Sequence, residues 1–344
     1  MRLFELTEAL TKLGFCSTFL INSLFVTLTL RYVRNIVGTY KRMLLAFAVA
    51  CILLSTLEII AQPFTYNFNE GIIYFSLRPT KDSILPPDLI RWSLIIYAAC
   101  YVGQITYIAI QFLFRYVILI EHRLAESFRG KKQIFWLIYV FLNGFVYGAT
   151  LTLCFPLETF SDEYMKQGIR AFYSRDINET PRLIQVMYYT NGSVRWSSII
   201  YAAVSMTILG IQYSIIAFCT FKMHAAMKHE LDNMSIKNQQ LEKQFFKALT
   251  VQIILPTIML TLPFGLVLLL PLLSLEIELQ TGFMFAMISL YPPLDSIATM
   301  VIVKEYHWCM KKLIRDVFGC YKKVGNSSMS GNPSHVQHIT VTVV

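Results

Sequence analysis

The chain has 344 residues, of which 55% are hydrophobic and 15% charged, with a formal net charge of +9. A soluble domain carries about 25% charged residues, so this composition excludes an ordinary soluble protein. Twenty of the 30 Lys and Arg lie between or after alternate apolar stretches, so the positive balance reads as membrane topology and not as a nucleic-acid surface.

Crossing the hydrocarbon core takes about 20 mainly apolar residues. Seven stretches reach that length: roughly Leu13 to Leu30, Met43 to Ala61, Trp92 to Ile120, Ile134 to Phe155, Ser197 to Phe221, Ala248 to Leu273 and Gly282 to Val303. In lipid every backbone N–H and C=O must be paired within its element or in a closed barrel, so runs this long are helices. The expected fold is an all-α membrane protein: a seven-helix bundle over residues 1–303, then a tail over 304–344. The side richer in Lys and Arg is expected to be cytoplasmic, which puts the N-terminus outside. Arg2, Glu5, Glu8 and Lys12 interrupt any early apolar core, so span one is expected to insert without a cleavable signal.

In chain order, span two carries Glu58 near its outer end, where the carboxylate either reaches water or faces a ligand. Span three places Tyr97, Tyr101, Gln104 and Gln111 on one helical face, opposite Ile95, Ala99, Val102, Ile110 and Leu113. The polar stripe is expected to turn inward, either to bond neighbouring helices or to wall a site for a small organic ligand. Arg115 and Tyr116 follow at its inner end; the guanidinium either snorkels to phosphates or holds a contact that breaks on activation. The loop from Leu157 to Arg195 is long and of mixed charge, and holds the sequons at Asn178 and Asn191. The basic segment from Lys222 to Lys247, with Lys243 and Lys247 at its end, is expected to extend spans five and six as helices.

Span six contains Pro256 and Pro263, positions at which a helix can kink. Span seven contains Tyr291-Pro292-Pro293-Leu294-Asp295, where prolines remove backbone donors beside an intramembrane carboxylate. Charged groups within spans are expensive and usually functional, so this segment is a candidate hinge. Over residues 304–320 a helical projection gathers Tyr306, Cys309, Met310, Leu313, Val317 and Cys320 on one face, as in an interfacial helix. Cys320 is then either a palmitoylation site or a free cytosolic thiol. No enzyme motif, metal-ligand spacing or cofactor-binding loop is present, so neither catalysis nor a cofactor is expected.

Several segments resemble one family in the right order along nearly the whole chain. They are Gly38-Thr39-Tyr40-Lys41-Arg42-Met43-Leu44, preceded by Asn22; Phe114-Arg115-Tyr116-Val117; and Phe128-Arg129-Gly130-Lys131-Lys132. Later come Gln244-Phe245-Phe246-Lys247-Ala248-Leu249-Thr250-Val251-Gln252 with Pro256, then Tyr291-Pro292-Pro293-Leu294-Asp295 and Lys304-Glu305-Tyr306. The chain resembles the nematode seven-transmembrane chemoreceptors of the Str class. Ser296 and His307 depart from the family's usual proline and arginine. The resemblance implies a G-protein-coupled receptor for a small external chemical, in sensory neurons and their cilia, without the disulfide of rhodopsin-like receptors. Tyr97, Tyr101, Gln104 and Glu58 are then the candidate ligand residues. Arg115, Tyr116, Lys243 and Lys247 are candidates for meeting a heterotrimeric G protein, with Pro256, Pro263, Tyr291, Pro292 and Asp295 as the hinge. The alternatives are a transporter or channel, which sparse intramembrane charge disfavours, and a non-signalling membrane partner.

Overall fold

The computed structural model describes residues 3–33, 38–78, 85–120, 122–128, 130–173, 175–230, 236–272, 279–280 and 282–327. Among these, seven helical segments are long and apolar enough to span a bilayer: Leu6–Arg31, Gly38–Ala61, Pro87–Leu119, Gly130–Cys154, Trp196–Ala226, Gln239–Val267 and Met284–Ile302. The elements are α1 (Leu3–Arg31), α2 (Gly38–Ala61), β1 (Pro63–Phe68), β2 (Gly71–Ser76), α3 (Pro87–Leu119), α4 (Gln133–Cys154), α5 (Thr159–Tyr173), β3 (Arg182–Val186) and α6 (Trp196–Glu230). Then follow α7 (Ile236–Pro256), α8 (Leu262–Leu272), β4 (Leu279–Gln280), α9 (Gly282–Ile302) and α10 (Lys304–Ser327). Helices α7 and α8 together form span six, and α6 and α7 carry spans five and six well past the apolar core.

Span three is the centre of the bundle. Its apolar face does not look outward as the stripe suggested: Ile95, Val102 and Ile110 are as buried as Tyr97 and Gln104. The reason is close packing against span four through Gly144 and Gly148, one helical turn apart. A Cβ on Gly144 would lie 2.9 Å from the Ala99 carbonyl oxygen. Small residues at this spacing let two membrane helices approach backbone to backbone.

Span one closes on span seven by the same device. Pro293 has no N–H to give the Ser289 carbonyl one turn earlier, yet α9 runs unbroken through both prolines. Gly14 packs on the backbone there, and a Cβ would sit 2.6 Å from Ser289 Cβ and 2.7 Å from its carbonyl oxygen. Gly14→Val forces two helix backbones apart and is expected to cost about 3 kcal/mol, read as a lower unfolding temperature of the detergent-solubilised protein. Further along, Ser296 Oγ donates to Asn22 Oδ1 at 2.7 Å and the Thr29 and Tyr306 hydroxyls lie 2.8 Å apart, joining span one to span seven and to α10.

The loops at the N-terminal face build something that the apolar pattern did not announce. Three of the links between spans contribute strands to one antiparallel sheet in the order β3-β2-β1-β4. The β1–β2 hairpin turns at Asn69, whose positive φ of 48° an asparagine tolerates. Thr65 pairs with Tyr74, and Tyr74 with Leu183, so these side chains share the face toward the bundle. Phe64, Tyr66, Ile73, Phe75, Ile184 and Val186 share the other, where Met165 and Ile169 of α5 cover them. The segment from Leu157 to Arg195, read in sequence as a loop, thus holds a helix and a strand. Each of the six cysteines whose side chains are described is free, and arginines fasten this cap. Arg182 reaches both Asp162 oxygens at 2.5 and 2.6 Å and the Thr180 carbonyl at 3.0 Å. Arg195 holds Glu158 at 2.5 Å and Ser161 at 2.7 Å.

Candidate functional site

Directly beneath the sheet lies a cavity of about 100 Å³ bounded by spans three to seven. One water occupies about 10–15 Å³ on this measure, so the space suits a small organic molecule. Tyr97, Ala98 and Tyr101 come from span three, Tyr147 from span four, Tyr201 from span five, Phe264 from span six and Phe285 from span seven. The sheet supplies the roof through Ile72, Tyr74, Leu183 and Gln185. None of the lining residues is charged. The Tyr147 and Tyr201 hydroxyls bond each other at 2.8 Å, whereas the buried Tyr97 hydroxyl has no hydrogen-bond partner among the described residues and that of Tyr101 faces Thr261 of span six. Tyr74 donates to the Leu94 carbonyl at 3.1 Å and stacks on Phe285. Desolvation pushes its phenol well above the ordinary value, so it is a neutral hydroxyl.

The sequence candidates divide around this cavity. Tyr97 and Tyr101 line it; Gln104 and Glu58 are not among its walls. Gln104 donates to Cys51 Sγ of span two at 3.8 Å. Glu58 reaches neither water nor the cavity: it is 3% exposed and accepts a hydrogen bond from Ser289 of span seven. Asp295 accepts from Gln252 of span six at 3.0 Å. Polar contacts outside the cavity thus tie span two to spans three and seven, and span six to span seven, in an interior where an unpaired group is costly.

Pro256 ends α7, and the chain passes through a π turn over Thr257–Thr261 before α8 begins, with Pro263 in its first turn. Such bulges relieve the lost proline donor and concentrate at functional sites. Here Tyr213 of span five lies 3.0 Å from the Thr257 hydroxyl and 2.8 Å from that of Thr261. Met259, within the turn, packs in the same cluster as Tyr97, Tyr101 and Phe285. The irregular part of span six thus touches the residues that bound the cavity.

At the C-terminal face, Arg115 does not snorkel. Its guanidinium stacks over Tyr40 at 3.6 Å and Phe245 at 4.3 Å. Its Nη1 donates to both Glu242 oxygens, at 3.1 and 3.2 Å. Span three is thereby latched to span six, with span two supplying one aromatic face. Tyr116 packs edge-on against Phe218 of span five, and Lys243 and Lys247 are exposed beside the latch.

Comparison with known proteins gives this arrangement a family. The serpentine type 7TM GPCR chemoreceptor family Str matches residues 7–311. The chain belongs to that family. It is 36% identical to G-protein coupled receptor str-33 of Caenorhabditis elegans over 90% of this chain and 91% of the relative. It is 22% identical to serpentine receptor class r-10 of Caenorhabditis briggsae, over 92% of each. The protein is a multi-pass, G-protein-coupled chemosensory receptor, and the transporter and partner readings are not favoured.

Sequence reading of this Str receptor missed Tyr74, Tyr147, Tyr201 and Gln185 at the cavity, and Glu242 in the latch. Glu242 had a visible signal, as the one acid of α7, one turn before Phe245 and beside Lys237, Lys243 and Lys247. Tyr147 sits between the two glycines that pack span four on span three, so its side of α4 was legible in principle. Tyr74 and Gln185 gave none, because their strands were not recognised.

Proposed function

We propose that the cavity beneath the sheet binds a small, uncharged organic molecule and that binding loosens the latch between Arg115 and Glu242 to admit a heterotrimeric G protein. The observation that carries this reading is the juxtaposition of the unpartnered Tyr97 hydroxyl, and of Tyr101 facing Thr261, with the π turn of span six. A ligand that accepts a hydrogen bond from Tyr97 satisfies a group otherwise buried without a partner, and one that takes the Tyr101 hydroxyl draws it from the π turn. It shifts the equilibrium by as much as it prefers one arrangement of span six over the other. Pro256, Pro263, Tyr291, Pro292 and Asp295 are the proposed bending region, with Gln252 joining the two spans at that level. Arg115, Tyr116, Lys243 and Lys247 are the proposed contacts for the G protein; Gln104 and Glu58 act by tying helices around the ligand.

In this proposal the N-terminal face is outside the cell, the receptor sits in the plasma membrane of a sensory neuron, and its cilium is where it meets ligand. Helix α10 lies along the inner surface, where Cys320 is the proposed acyl site; its side chain is outside the described residues. Of the two sequons between Leu157 and Arg195, Asn191 is the better acceptor. Both are exposed, but Thr180 of the first is buried, with its hydroxyl bonded to the Asp176 carbonyl, and Pro181 follows. Asn191→Gln is expected to remove a glycosidase-sensitive gel shift that Asn178→Gln leaves in place. A glycan-free wild type made in a glycosylating cell speaks against the assigned sidedness.

The ligand reading is tested by second-messenger responses to a panel of small uncharged chemicals in cells expressing the receptor. Ala98→Trp puts an indole into the cavity and is expected to abolish a response that the wild type gives, at equal surface expression. Tyr101→Ala is expected to weaken it about tenfold, the value of one good buried hydrogen bond and ring contact. A full response from Ala98→Trp overturns the cavity as the ligand site.

A further inference from the structure

The cap carries a second concavity, on its surface away from the bundle, that the reading above does not use. It is an open cleft of about 490 Å³ lined by Glu70, Tyr164, Tyr188, Tyr189, Thr190 and Gly192. We infer that this cleft is a binding site for a small organic ammonium ion, held by the rings of Tyr164, Tyr188 and Tyr189 against the carboxylate of Glu70.

The backbone makes the cleft a fixed feature. Glu70 ends the β1–β2 hairpin turn, and its carbonyl accepts from Met187 N at 3.1 Å while its N–H donates to the Tyr164 hydroxyl at 3.3 Å. The hairpin turn, α5 and the segment after β3 are thus bonded to one another. Beyond Met187 the chain folds into a tight reversal. Tyr189 N donates to the Ser193 carbonyl and Gly192 N to the Tyr189 carbonyl, both at 2.8 Å, and Gly192 takes the positive φ of 77° that the turn needs. Tyr188 bridges to Val194. A reversal closed in this way presents two successive tyrosines at a set position, and Tyr189 keeps 41% of its surface exposed.

The chemistry selects the ligand. Among the described residues no cation pairs with the Glu70 carboxylate, so the cleft has one net negative charge beside three ring faces. An anion is repelled by it. A hard metal ion needs about six oxygen ligands, and a single carboxylate among tyrosines does not supply them. A cation with apolar substituents fits both halves: its charge is attracted by the ring quadrupoles and the carboxylate, and its methyl or methylene groups cover the rings. Tyr189 of the cleft and the adjacent Phe160 already accept a cation in this way. Arg195 lies 5.2 Å over Tyr189 and 5.5 Å over Phe160, with its own charge matched by Glu158 at 2.5 Å.

The test measures binding alone, on the full-length protein in lipid nanodiscs, and is independent of the cavity and of signalling. Choline is the probe and neohexanol its uncharged carbon isostere, each followed by saturation-transfer NMR. Choline is expected to bind saturably near 1 mM, about the strength of a solvent-open aromatic site, and neohexanol to show no saturation. Tyr189→Ala is expected to weaken choline about tenfold, and Glu70→Gln to abolish saturation. Glu70→Gln keeps the shape of its side chain and is expected to keep the wild-type unfolding temperature. Tyr189→Ala also removes a ring beside Arg195 and Phe160, so its binding is compared at a temperature where its own unfolding curve shows it folded. Absence of saturable choline binding by the wild type overturns the site. Equal binding of neohexanol overturns the cationic ligand class, and undiminished binding by both variants overturns the location.

Discussion

Glu242→Gln is expected to raise ligand-independent signalling about tenfold at unchanged surface expression, a shift of about 1.4 kcal/mol in the receptor's conformational balance. Arg115 is 5% exposed and meets both Glu242 oxygens. Hydrogen bonds to charged groups contribute about 1.5–3 kcal/mol, and water reaching the Glu242 side chain, 22% exposed, reduces that figure. The substitution keeps the shape and removes the charge, so the arrangement in which span three is latched to span six loses this share of its stability. Tyr40 and Phe245 still hold the guanidinium by its faces, which keeps the variant folded. Arg115→Ala separates the two roles proposed for the arginine. It also breaks the latch, yet it removes a proposed contact for the G protein, so it is expected to fall to background with and without ligand. Basal signalling from Glu242→Gln at the wild-type level would falsify the latch.

The largest loss of stability is expected from Arg182→Ala, at about 3 kcal/mol or more. The guanidinium is 8% exposed and its partner Asp162 19%, so its removal strands a largely buried carboxylate and also frees the Ile177 and Thr180 carbonyls. No disulfide among the described residues shares the load. The expected result is a lower unfolding temperature in detergent and less protein at the cell surface. Replacing the pair together, Arg182→Met with Asp162→Leu, leaves no unpaired charge and is expected to recover part of the loss. If the double variant is no better than Arg182→Ala, the stranded carboxylate is not the cause.

How far the sequence reached differs from place to place in the receptor. The helical spans were legible because lipid offers no alternative partner for a backbone amide. Arg115 and the prolines of span six stood out because charge and missing donors are conspicuous in apolar helices. The polar stripe on span three pointed at Tyr97 and Tyr101, which do line the cavity, but it also pointed at Gln104, which faces Cys51. A helical projection gives an azimuth, whereas the depth at which a cavity opens depends on what roofs it.

The roof was hidden for a related reason. The strand Pro63–Phe68 does alternate apolar and polar residues, but it and Arg182–Val186 are short and buried almost throughout, so neither stood out beside the long apolar helices. Their pairing joins links on either side of two membrane spans, and nothing local records it. Glu242 lies 127 residues from Arg115, and an acid in a basic helix has many possible partners until the helices are packed.

The sequence by itself determined a bundle of seven membrane helices, its family and the helix faces that carry polar groups, because the bilayer and the helical period act on each segment separately. Only the tertiary structure decided the sheet that closes the cavity, the tyrosines that meet there and the acid that holds Arg115. Each of those depends on which distant segments share a space, and that is set by close packing of the whole bundle.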